Sequence, residues 1–154
     1  MLLSSNVCRD DAHAIAYEGC CVVATWHGEP TEQRVDAMAR AIATLGRMRS
    51  RGVVVLNVIG EETPLPDGPT RAALQRHFAD ARGRILALAN VLTTTGVEGL
   101  LGRTMLTALS TAARRPFPTK VFANVEDAAW WISSFREAPP PSALVAAWRN
   151  IEAR

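Results

Sequence analysis

Apolar positions along the chain change their period several times, and each change predicts an element. In "HAIAYEGCCVVATWHG", residues 13 to 28, two apolar stretches flank Glu18 and Gly19. That pattern predicts a hairpin with strands around 14–17 and 20–26. Next, Val35, Met38, Ala39, Ile42, Leu45 and Met48 recur every three or four residues, the stripe of an amphipathic helix. Thr31 stands where an N-cap belongs. Arg47, Arg49 and Arg51 crowd the far end, where they suit the negative pole of the helix. "GVVVLNVIG", 52 to 60, reads as a continuous apolar run rich in β-branched residues. A continuous β-branched run of this kind is expected of a central parallel strand buried on both sides.

The alternation of strand and helix then continues. Pro69 opens a second helix, capped by Asp67 or Gly68, with Ala73, Leu74, His77, Phe78 and Ala81 as its inner stripe. "RILALANVLTTTG", 84 to 96, reads as a strand followed by a threonine-rich helix start. The helix beyond it is expected to bury Val97, Leu100, Leu101, Met105, Ala108, Leu109 and Ala112. "TKVFANV" is a short last strand, and "VEDAAWWISSF" a helix beside it. Successive helical residues point about 100° apart. Trp131, with Ala128 and Phe135, is therefore assigned inward, and Trp130 is left to be covered by Trp148, by Leu144 or by a partner chain. The prolines of "REAPPPSA" lead to a final segment with Leu144, Val145, Trp148 and Ile151 at helical spacing. That segment is too short to fold alone and is expected to dock on the domain or on a partner chain.

Together these elements predict an α/β fold: a mainly parallel central sheet, an N-terminal β-hairpin, alternating helices and an extra C-terminal helix. The organisation expected is an extension over 1–12, one domain over 13–135, and a Pro-rich linker with its helix over 136–154.

Composition narrows the function classes. The 17 basic and 15 acidic residues leave a charge of +2, too little for a surface that holds nucleic acid by its phosphates. No apolar run reaches the roughly eighteen residues of a membrane span, and the opening residues lack a signal-peptide pattern. Cys8, Cys20 and Cys21 form no CxxC pair, so a reduced, cytoplasmic chain without a metal centre is expected. Cys20 and Cys21, if both in a strand, would face opposite sides of the sheet.

Three stretches carry a family resemblance: "YEGCCVVATWHGEPTEQRVDAMARAIA", "RGVVVLNVIG" and "FPTKVFANVEDAAWWI". In these the chain resembles the sulfate-transporter and anti-sigma-antagonist (STAS) domains, and within them the stand-alone SpoIIAA-like group, over about residues 13–133. The resemblance implies a non-enzymatic signalling domain that regulates a partner protein; some such domains bind nucleotides or lipids. It also implies a phospho-acceptor where the central strand meets the next helix. Here the family's Asp-Ser-Gly pattern is absent, and "GEETPLPDGPT" offers only Thr63 and Thr70.

Other candidate chemistry is sparse. Glu61 and Glu62 lie in the loop after the central strand, where α/β proteins place ligands, but no His or Lys follows nearby to share acid–base work. Thr94, Thr95 and Gly96 precede free helix amides, and Arg103 could assist them in holding a small anion; no P-loop pattern is present. His27 near Cys20 and Cys21 lacks a supporting acid in sequence, and His77 falls at the boundary of an apolar stripe. The expectation is thus a regulatory protein-interaction domain, without catalytic residues or cofactor. Its partner would meet Glu61, Glu62, Asp67 and Trp130. The alternative is a carrier for a small ligand or lipid, at the same rim or in a pocket between helices. Exposed strand edges also make a homodimer conceivable.

Overall fold

In the computed structural model, which describes residues 5–112 and 116–154 with side chains at 5, 6, 101, 105, 106 and 108–112 left aside, six strands form one sheet. They are β1 (Ser5–Arg9), β2 (His13–Glu18), β3 (Cys21–Trp26), β4 (Val53–Ile59), β5 (Ile85–Leu92) and β6 (Thr119–Phe122), and they lie side by side in that order. β1, β2 and β3 pair antiparallel, and β3 through β6 parallel. The sheet is therefore mixed rather than uniformly parallel. Residues 5–9, expected to be an extension, form its first strand. A bulge between Asn6 and Cys8 breaks their alternation, which hides the strand from a reading of period alone.

Among the described residues, five helices cover the sheet: α1 (Glu32–Met48), α2 (Gly68–Asp80), α3 (Gly96–Ala112), α4 (Val125–Ser133) and α5 (Pro141–Glu152). Each parallel crossover steps to the next strand in the same direction. Right-handed connections then put α1, α2 and α3 on one face. The α1–α2 face receives Ile15, Val22, Val53, Val55 and Leu88 from the strands. The other face presents smaller side chains, including Ala16, Ala87 and Ala89, and is closed by α4 and α5. α5 is thus part of the core: Leu144, Ala147 and Ile151 are buried against the sheet. Arg9 further donates to the Ile151 carbonyl, tying β1 to this helix.

Thr31 caps α1 by accepting from the Arg34 amide, and Asp67 caps α2 by accepting from the Thr70 amide. Two expected stripes, and the expected cover of Trp130, are corrected. Met48, the last residue of α1, is exposed. Val97 and Leu100 are exposed as well. The inward side of α3 at this end is made by glycines: a Cβ on Gly102 would lie 2.6 Å from Leu92 Cδ2, and one on Gly99 would run into the Thr94 carbonyl oxygen. That close approach rotates the larger neighbours outward. The side chains of Leu101, Met105, Ala108, Leu109 and Ala112 lie outside those described. Trp130 is 71% exposed and is not covered by the tail; Leu144 turns to the sheet instead. Trp131 packs inward through contacts with Phe122 and Phe135.

Candidate functional site

The C-terminal ends of β3, β4 and β5 meet the loop 60–67 above the α1–α2 face. There a cavity of about 160 Å³ opens, lined mainly by apolar side chains of the sheet, of both helices and of the loop. Its floor carries a short polar run. Asn57 and Asn90 occupy paired positions on β4 and β5. Trp26 Nε1 donates to Asn57 Oδ1 at 2.7 Å, and Asn57 Nδ2 donates to Asn90 Oδ1 at 2.9 Å.

The direction of this run is fixed by chemistry. An indole N–H can only donate, so it must meet the Asn57 oxygen, which turns the Asn57 amide nitrogen toward the Asn90 oxygen. Asn90 Nδ2 is left as the final donor, without an acceptor among the described residues. Asn90 is 5% exposed and lines the cavity. Among the described lining residues none is charged.

The loop that roofs the cavity is held at both ends. The Trp26 carbonyl accepts from the Gly60 amide at 2.8 Å and from the Thr63 hydroxyl at 2.9 Å. At the far end Asp67 caps α2, and the Thr70 amide and hydroxyl together hold its carboxyl below the usual carboxylate range. Between these anchors run Pro64, Leu65 and Pro66, whose prolines restrict the backbone; Leu65 lines the cavity yet is largely exposed.

The residues singled out in sequence are placed as follows. Glu61 and Glu62 are exposed on the rim. The Thr63 hydroxyl is engaged with the Trp26 carbonyl, and Thr70 is 3% exposed in the first turn of α2. Modification at Thr70 would require that turn to open. Arg103 turns back to donate to the Thr94 carbonyl at 3.1 Å, rather than reaching over the amides beyond Thr95 and Gly96. Asp67 serves the α2 cap, and Trp130 lies on α4, on the opposite face of the sheet from the cavity.

Cys20 lies in the tight turn before β3, so strand alternation does not govern it; it joins Cys21 in the α4–α5 cluster. Burial raises both thiol pKa values and keeps the sulfurs protonated. His27 does gain an acid, supplied by the tail: Nε2 lies 3.0 Å from Glu152 Oε1. The Thr25 hydroxyl donates to the same carboxylate. Its proton is thus directed away from the imidazole, and the group fastens α5 to β3. His77 bridges two helices through Asp36 at 2.6 Å, as its boundary position suggested.

Sequence reasoning missed Asn57 and Asn90. The signal was present: each is the lone amide in an otherwise apolar strand, in "VVVLNVIG" and "LALANVLT". No protein-family model, no curated protein and no solved structure matches the chain.

Proposed function

We propose that this chain is a STAS-like, non-enzymatic sensor or carrier. It binds a small, largely apolar molecule in the cavity above Trp26, Asn57 and Asn90, and displays occupancy through the loop 60–67 to a regulatory protein. The observation that carries this reading is the cavity itself: apolar walls around an oriented polar floor, the usual make-up of a small-molecule site. The loop acids Glu61 and Glu62 then mark the surface that a cytoplasmic partner would read. A panel of neutral aromatic and aliphatic compounds, titrated in two-dimensional NMR, tests the site. Binders should shift the Trp26 indole and the Leu88 and Leu92 methyl signals; a panel that moves none of them defeats the reading.

A second reading, regulation by protein contact alone, is favoured by Leu65, Val97 and Leu100. These are exposed, Leu65 in the loop after β4 that also carries Glu61 and Glu62, and Val97 and Leu100 in the first turns of α3 after β5. In that case Glu61→Arg with Glu62→Arg abolishes capture of a partner that the wild-type chain retains, and equal capture by both removes the rim from consideration.

A further inference from the structure

The polar floor also specifies the head group of the ligand, an inference that rests on the cavity reading above. We propose that the cavity selects uncharged molecules with one carbonyl-type acceptor at the buried end: ketones, aldehydes, esters, lactones or amides on an apolar body. The Trp26–Asn57–Asn90 run has a single direction and ends in a donor, so the complementary ligand atom accepts a hydrogen bond. A hydroxyl could accept there too, but a carbonyl does so without a proton of its own to place. Because no described lining residue carries a charge, a carboxylate would bring an uncompensated negative charge into the site.

Volume limits the buried part. A dry apolar cavity of about 150 Å³ accommodates benzene, so the space of about 160 Å³ takes one ring or a comparable branched chain. Anything longer must pass out beside Leu65, which lines the cavity and reaches solvent. The ligand therefore enters acceptor first.

Three molecules of matched shape test the head group on the wild-type chain: acetophenone, α-methylstyrene, in which a methylene replaces the carbonyl oxygen, and benzoate. The expected result is that acetophenone binds and moves the Asn90 side-chain NH₂ signals. α-Methylstyrene should bind about tenfold more weakly, and benzoate at neutral pH at least about a hundredfold more weakly. In Asn90→Leu the preference for acetophenone over α-methylstyrene should vanish; should that variant fail to fold, the wild-type series still decides. Equal affinity for acetophenone and α-methylstyrene, or an unmoved Asn90 amide, overturns the acceptor rule and leaves the cavity as a ligand site. Binding of benzoate as tight as that of acetophenone overturns the charge rule in the same way. Failure of all three to bind at any concentration overturns the cavity reading, and this inference with it.

Discussion

Burial keeps the His13 imidazole neutral. The ring is 2% exposed, stacks at 4.5 Å on Trp26, and neither nitrogen finds a partner among the described residues. Desolvation lowers its pKa from the ordinary 6.5; Asp10 pulls it up and Arg34 pushes it further down. A histidine depressed in the folded state leaves the unfolded chain binding more protons at mildly acid pH. Its linkage therefore costs nothing well above pH 6.5 and removes stability as pH falls from 6.5 toward the lower folded value. His13→Phe keeps the ring contact with Trp26 and should flatten this acid limb. Urea midpoints at pH 7.5 and 5.5 measure it, and an unchanged difference between the two pH values would remove His13 as the cause. At the same scale, Asn57 and Asn90 show how a polar residue survives in an apolar strand. Asn57 donates to Asn90 across the pair of strands, and the Asn90 amide nitrogen is left beside a cavity.

Among the elements, α5 changes the picture most. Its sequence looks like an appendage after a proline run, yet it closes the small-residue face of the sheet next to α4. Leu144 is fully buried there. Leu144→Ala should lower unfolding free energy by about 2–5 kcal/mol, the range for removing a large core side chain, whereas Val145→Ala, at a half-buried position, should cost less. Denaturant unfolding of both variants distinguishes a core helix from an accessory one; equal small losses would mark α5 as accessory. α3 teaches a different lesson. Its apolar residues at three-and-four spacing predict burial of Val97 and Leu100, but Gly99 and Gly102 make the contact and turn those two side chains to solvent. Hydropathy cannot see this, because a glycine adds little apolar surface yet decides how near two backbones can come.

At the scale of the whole molecule, three adjacent parallel strands end at one level, so their loops form a single rim. The cavity lies just inside that rim, under a loop pinned by Thr63 and Asp67. Ligand that binds only the folded chain stabilises it by mass action, by about 2.7 kcal/mol at a hundredfold excess over Kd. For a domain of this size that corresponds to a rise in Tm of about 5–10 °C. Acetophenone at such an excess should produce this shift in calorimetry; a bound ligand without it would have to bind the unfolded chain equally. Among the described residues no helix is long and apolar enough to cross a membrane.

The sequence by itself determined the local elements from β2 through α5, because apolar period, capping residues and β-branched runs act over a few neighbours. Thr31, Asp67 and the 53–59 strand were legible for that reason. Only the tertiary structure decided the first strand, the place of α5 in the core, the glycine contact of α3, and the meeting of Trp26, Asn57 and Asn90. Those depend on which strands become neighbours and in what register. A hydrogen bond between residues 33 positions apart exists only once the crossover through α2 has brought β4 and β5 side by side.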